Sequence, residues 1–255
     1  DAVDHHGPSF TAIKTYMVPM GIRLIHQQGR TGMFPDFRGS SPRARFSGRD
    51  LLLYVVTDRS WLGGRTLYEQ VEEALQGGAS MVQLREKELD EDDFFREAVQ
   101  INELCRRYGV PLLINDNVDI ALRAGAAGVH VGQSDMEAGD VRKLLGDDKI
   151  IGVTAKTVEQ ALLAQERGAD YLGVGAVFHS DSKSDAKEIT HEMLKDICRA
   201  ADIPVAAIGG ISRENVSELK GSGISGVAVI SAVFAQKDIE AAARELKSLV
   251  SDIAV

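Results

Sequence analysis

Eight short apolar runs, set about 25 residues apart and alternating with amphipathic helical patterns, predict an α/β protein built as a single (β/α)8 TIM barrel. A small repeat supports this reading. GGASMVQL (77–84), GAAGVHV (125–131), GADYLGV (168–174) and GSGISGVAV (221–229) each place glycine and a small residue between a helical pattern and an apolar run. Glycine there supplies the left-handed residue that stops a helix and turns the chain into the next strand. The rival architecture, a doubly wound open sheet, would gather its polar residues at one switch point and carry G-x-G-x-x-G after the first strand. No such motif follows the first run here, and the polar residues follow many of the runs.

Residues 1–49 stand apart, being rich in Gly, Pro, Ser and Arg with no sustained period of 2 or 3.6. They hold seven Lys/Arg against three Asp, a net of +4 within a chain total of −9, which leaves −13 for the rest. They are read as an N-terminal extension, disordered or added by cloning, with an organelle transit peptide as the alternative. The barrel domain is expected over residues 50–255.

From Asp50 the strand-like runs are LLLYVVT (51–57), MVQLRE (81–86), PLLIN (111–115), GVHVG (128–132), IIGVTA (150–155), YLGVGAVF (171–178), PVAAIGG (204–210) and GVAVIS (226–231). Helical patterns lie between them, among them Leu67 to Gln76, Phe94 to Tyr108, Val158 to Arg167, Met193 to Ala201 and Ile239 to Val250.

Net charge of −9 argues against a nucleic-acid partner, and no apolar run is long enough to cross a bilayer. Cys105 and Cys198 each sit in a helical pattern and suggest neither a disulfide framework nor a metal site, so a reducing, cytoplasmic compartment is the default.

The most informative stretch is MVQLREK (81–87). Alternation puts Gln83, Arg85 and Lys87 on one face and Val82 and Leu84 on the other. A cation turned into a covered strand end calls for an anion, so the pair implies an anionic ligand there. The other reading is that Arg85 and Lys87 pair with Glu86, Glu88 or Asp90 at a solvated end.

Further candidates follow the other strands: Asn115 and Asp116, Gln133 and Asp135, Thr154, then Ser180, Ser182 and Lys183, then Gly209 and Gly210, and finally Ile230 and Ser231. In a barrel all these loops share one rim. Asp116 and Asp135, one carboxylate on each of two neighbouring loops, suit Mg2+, which takes one or two carboxylates plus phosphate and water. Each has a second reading as a helix N-cap. Gly209-Gly210 and Ile230-Ser231 follow the last two strands, where barrels bind phosphate through backbone N–H groups and a short extra helix. His130 reads as a packed core histidine or a catalytic base.

In this order QLREK, INDNVDIAL, GVHVGQSDM, IIGVTAKT, GADYLGVGAVFHSDSKSDA, AIGGI and GVAVISA resemble the thiamine phosphate synthase family over about residues 51–250. The resemblance implies a transferase of thiamine biosynthesis. Hydroxymethylpyrimidine diphosphate would lose pyrophosphate, and the nitrogen of hydroxyethylthiazole phosphate would attack its methylene carbon, with magnesium as the metal. Carried over, Gln83, Arg85, Lys87, Asn115 and Lys183 correspond to diphosphate and pyrimidine contacts, with Arg85, Lys87, Lys183 and Thr154 as catalytic candidates. Asp116 and Asp135 correspond to metal ligands, and Gly210, Ile230 and Ser231 to the thiazole phosphate site. Thr154 stands where the family usually has serine. HSDSKSDA replaces a pattern like PTxTKxDA, so Ser180 and Ser182 keep the hydroxyls but lose the stiffening methyls. A thiazole tautomerase of the same fold and a non-catalytic thiamine phosphate-binding paralogue are the alternatives. The expected partners are these small molecules, with no nucleic acid or membrane. A homo-oligomer is compatible with a sequence that does not set the oligomeric state.

Overall fold

The computed structural model describes residues 40–132, 138–179 and 188–255. Eight parallel strands, β1 (Leu53–Val56), β2 (Met81–Leu84), β3 (Leu112–Asn115), β4 (Gly128–Val131), β5 (Ile150–Ala155), β6 (Tyr171–Gly175), β7 (Val205–Ile208) and β8 (Gly226–Val229), pair in sequence order. The last closes on the first, Tyr54 standing opposite Ala228, so the predicted barrel is present. After the N-terminal turn α1 (Pro42–Arg45), the helices are α2 (Leu67–Gln76), α3 (Glu91–Tyr108), α4 (Val118–Arg123), α5 (Ala138–Leu145), α6 (Val158–Glu166), α7 (His191–Ala200), α8 (Ser231–Phe234) and α9 (Ile239–Ser251). Between β7 and β8 a short 3-10 turn, Val216–Leu219, stands where a barrel unit ordinarily puts a helix.

Helix α3 shows how the sequence builds these units. Asp90 caps it by accepting from the Asp93 N–H, three acidic residues fill its first turn, and Gly109 ends it at φ 69°. Phe94, Ala98, Ile101, Leu104 and Cys105 recur at helical spacing and are buried against the sheet. Full burial of a large apolar side chain contributes roughly 1.5–3 kcal/mol, so this stripe, more than helix propensity, holds α3 in place. The glycines of the repeat have the expected left-handed backbone: φ is 103° at Gly78, 64° at Gly125, 91° at Gly168 and 89° at Gly223.

Strand alternation divides the core in two. Leu53, Val55, Val82, Leu84 and Ile114 face the helices, whereas Tyr54, Met81, Leu113, Ile150, Tyr171, Ala206 and Ala228 fill the barrel's interior. Glycines on inward positions make room for the large rings. A Cβ on Gly152 would lie 2.1 Å from the Tyr171 ring, and one on Gly173 would lie 2.9 Å from His130.

The expected N-terminal extension needs a correction at its inner end. Residues 1–39 lie outside the described residues, but 40–49 are folded against the amino-terminal end of the barrel. Ser41 caps α1, Pro42 opens it, and the Arg43 guanidinium donates to Asp170 at 2.6 Å. Phe46 tilts against Tyr171 with ring centroids 5.7 Å apart. A single turn is too short to show periodicity, which is why composition alone assigns this stretch to the extension. Among the described residues, no helix is long and apolar enough to cross a membrane. Cys105 and Cys198 are free thiols, each pushed up to about 12 by burial.

Candidate active site

The carboxyl ends of β1 and β2 enclose a cavity of about 230 Å3 lined by Asp58, Arg59, Ser60, Arg85, Glu86, Lys87 and Glu88. Arg85 lies just past the end of β2, with a side chain 10% exposed, and meets Asp58 at 3.3 Å. Glu86 is turned elsewhere. It accepts from Arg59 at 2.5 Å and from the N–H groups of Lys87 and Glu88 at 2.7 and 2.8 Å. Burial pushes its carboxyl up, but the Glu88 N–H, the Arg59 guanidinium and the Lys87 N–H outweigh that and hold it below the ordinary value. Arg59 is fixed in turn by Glu97, whose Oε1 lies at 2.8 Å.

These contacts overturn the reading in which Arg85 and Lys87 pair with Glu86, Glu88 or Asp90. Asp90 is spent as the cap of α3 and Glu86 belongs to Arg59. Arg85 takes Asp58, a partner 27 residues away. Among the described residues no carboxylate lies within 4.0 Å of the Lys87 ammonium. Three cations and three carboxylates line this cavity, and Lys87 is the cation among them that no described carboxylate neutralises.

Asp116, at the end of β3, is the only non-glycine among the described residues with positive φ, at 59°. Left-handed backbone costs an L-residue about 1–2 kcal/mol, and Asp and Asn bear it best. The N-cap reading of Asp116 is corrected: Asn117 caps α4, accepting from the Ile120 N–H at 2.9 Å, while Asp116 accepts from the Asn115 amide at 2.6 Å. The cap position thus leaves the Asp116 carboxylate on the rim beside Asn115.

A buried chain of hydrogen bonds crosses the barrel beneath this rim. The Gln83 amide donates to the Tyr54 hydroxyl, which lies 2.9 Å from that of Tyr171; Tyr171 lies 2.8 Å from His130 Nδ1, and His130 Nε2 lies 3.0 Å from Thr154 Oγ1. Its direction follows from chemistry. An amide nitrogen only donates, so Tyr54 accepts from Gln83, and the arrangement that gives every buried proton an acceptor has Tyr54 donating to Tyr171. Tyr171 then donates to Nδ1, and His130 carries its proton on Nε2 and gives it to Thr154 Oγ1. Desolvation pushes both tyrosines well above the usual phenol range, so they remain neutral donors. Sequence reading singles out Gln83, His130 and Thr154 but passes over Tyr54 and Tyr171. Two tyrosines on inward positions of otherwise aliphatic strands were the available signal.

At the far side of the rim, Gly209 and Gly210 have φ of 101° and 63°. A Cβ on Gly210 would lie 2.1 Å from the His179 carbonyl oxygen, so glycine is required for this close approach. Asn215 pins the turn, donating to the Gly210 carbonyl at 2.8 Å. Ile230 and Ser231 follow β8, with Ser231 opening the short helix α8 expected from the sequence. The rim thus gathers Gln83, Arg85, Lys87, Asn115, Asp116, Thr154, Gly210, Ile230 and Ser231. Gln133, Asp135, Ser180, Ser182 and Lys183 lie outside the described residues.

Among the described residues no cluster of three or more His, Cys, Asp or Glu forms a metal cage. One rim carboxylate at Asp116 fits a hard cation of the magnesium type, which uses few protein ligands and completes its shell with phosphate and water.

The comparisons agree with the resemblance read from the motifs. A family model described as thiamine monophosphate synthase matches residues 53–233. The chain is 51% identical over 197 residues to the thiamine-phosphate synthase of Ruminiclostridium cellulolyticum, covering 77% of this chain and 94% of that protein. It is 49% identical to that of Clostridium tetani, covering 80% and 97%. The solved structure of a thiamine phosphate pyrophosphorylase from Pyrococcus furiosus superposes with a TM-score of 0.75 at 37% identity, covering 81% of this chain and 98% of that one.

Proposed function

This chain belongs to the thiamine monophosphate synthase family, and from that premise we propose that it is a transferase joining hydroxymethylpyrimidine diphosphate to hydroxyethylthiazole phosphate, giving thiamine phosphate and pyrophosphate. The observation that carries the reading is the end of β2, where a nearly buried Arg85 stands beside Lys87, which has no carboxylate partner among the described residues.

Departure of pyrophosphate separates charge, leaving a cation on the pyrimidine methylene and growing negative charge on the leaving group. Arg85 and Lys87, held at the rim before substrate arrives, stabilise that negative charge without reorganising. Lys183, carried over from the family motif, would add a third cation. Magnesium, held by Asp116 and by Asp135 on the family pattern, would supply further charge neutralisation to the diphosphate when bound. Asn115 and Gln83 position the pyrimidine, and Thr154, oriented by His130, donates toward it. The Gly210 turn and the Ile230–Ser231 corner present backbone N–H groups to the thiazole phosphate. The thiazole nitrogen attacks as its lone pair forms the new C–N bond, so no general base is needed.

The test mixes the protein with both substrates and Mg2+ and follows thiamine phosphate and pyrophosphate together. Equimolar release supports the synthase; isomerised thiazole without joining supports a tautomerase; binding without turnover supports a paralogue that only binds. Asp116→Asn is the companion variant, since Asn tolerates the left-handed backbone and supplies oxygen without charge. It should keep the wild-type melting temperature and lose metal-dependent turnover by at least the roughly 10–100-fold that losing an outer-shell partner of a metal costs. Full turnover would remove Asp116 from the metal assignment.

A further inference from the structure

At the amino-terminal end of the barrel, away from the rim, the described residues enclose a second and larger cavity of about 530 Å3. It opens between the N-terminal segment, which contributes Arg45, Phe46 and Asp50, and the chain entering β3 to β5, which contributes Arg106, Lys149 and Ile150. Its volume falls within the range of small-molecule sites, about 300–1,000 Å3. Its charge is unusual for this protein. The chain totals −9, yet among the described lining residues Arg106 and Lys149 stand with Arg45 where the carboxylate is Asp50. That carboxylate, Asp50, is pushed up by burial, and its hydrogen bonds go to Ser47.

Arg106 and Lys149 have no carboxylate within 4.0 Å among the described residues. Their heads rest on backbone carbonyls instead, Arg106 on Gly125 at 3.2 Å and Lys149 on Ala126 at 2.5 Å. Burial, and then the neighbouring Arg106, holds the Lys149 ammonium below the ordinary lysine value. Two like charges facing one apolar-walled space repel each other, and an anion between them removes that cost. A guanidinium beside an ammonium suits a phosphate dianion better than a single carboxylate.

We propose that this cavity binds a small organic phosphate, its phosphoryl group on Arg106 and Lys149 and its planar or apolar body against Phe46 and Ile150. The site is independent of the rim chemistry and does not rest on the family reading.

Pyridoxal phosphate is the probe, used with the full chain. Its aldehyde carbon condenses with the neutral Lys149 amine, releasing water and forming an imine; borohydride delivers hydride to that carbon and traps a secondary amine. Peptide mapping then reports each lysine separately, so labelling at Lys87 or Lys183 is not confused with labelling here. Lys149 is expected to be a principal labelled residue, and excess phenyl phosphate should protect it. Exposed Arg106 can be replaced without touching the core, and Arg106→Gln should lower Lys149 labelling about tenfold, the scale of one charge-assisted contact. Arg85→Ala should leave Lys149 labelling unchanged. Absence of label at Lys149, or equal labelling by pyridoxal without its phosphate, overturns the site. Protection by inorganic phosphate as strong as that by phenyl phosphate overturns the organic body and leaves only an anion site.

Discussion

Replacing Tyr171 by phenylalanine removes one oxygen from the middle of the buried chain and leaves its ring between Gly152 and Phe46. Two hydrogen bonds are lost, to Tyr54 at 2.9 Å and to His130 at 2.8 Å. Tyr54 keeps its bond from Gln83 but loses the acceptor of its own buried proton, which costs about 1–3 kcal/mol. His130 Nδ1 loses its buried Tyr171 partner, which costs about 1–3 kcal/mol. Together the variant should be destabilised by about 2–6 kcal/mol, lowering the melting temperature by roughly 4–24 °C for a chain of this size. The chemical consequence is separate. With Nδ1 no longer held as an acceptor, His130 can place its proton on either nitrogen, and Thr154 loses its fixed direction. Turnover of the joining reaction should fall, while thiazole phosphate binding at the β7–β8 corner persists. Thermal melts, steady-state kinetics and 15N chemical shifts of the His130 ring measure the three effects. A melt within about 1 °C of wild type with unchanged His130 shifts would refute the connected chain.

Gly210→Ala must place a methyl against the His179 carbonyl at φ 63°, so we expect a loss of about 2–4 kcal/mol, read from a denaturation curve, with weakened thiazole phosphate binding by calorimetry. Glu86→Gln tests the rim's electrostatics. The folded carboxyl sits below its unfolded value, so its contribution is present above about pH 4.3 and is lost as pH falls through the folded value. The variant should cost about 1–3 kcal/mol at pH 7 and nothing at the acid end; a difference independent of pH would disprove the linkage. Removing residues 1–49 should destabilise the barrel by about 2–4 kcal/mol relative to removal of 1–39, because it takes away Arg43 and Phe46. Equal melting temperatures for the two truncations would show that the segment does not contribute to stability.

The barrel was legible because its signals are local and repeated. Strand runs, helix stripes and left-handed glycines recur at a spacing that one architecture satisfies. The inward direction of Gln83 and the cationic end of β2 followed from alternation alone. Pairing across the chain did not. Asp58 as the partner of Arg85, and Tyr54 bonded to Tyr171 at a separation of 117 residues, become neighbours only when the sheet closes. The choice between Asp116 and Asn117 as helix cap turned on a single residue of register between two side chains that both cap well, and sequence offers nothing to decide it. Residues 40–49 were misassigned for a related reason, since they attach through the Arg43 ion pairs and the Phe46 ring rather than a periodic stripe.

The tyrosine pair at the centre of the barrel has a consequence for traffic. Tyr54 and Tyr171 are 1% and 0% exposed and bonded to each other, so the barrel has no bore. Anything that reaches the rim arrives and departs through the one mouth formed by the strand-end loops. In the proposed reaction two substrates and two products share that doorway, so the reactant lying deeper has to enter first and leave last. A molecule at the opposite end can influence the exchange only through the strands themselves, never by passing between the two chambers.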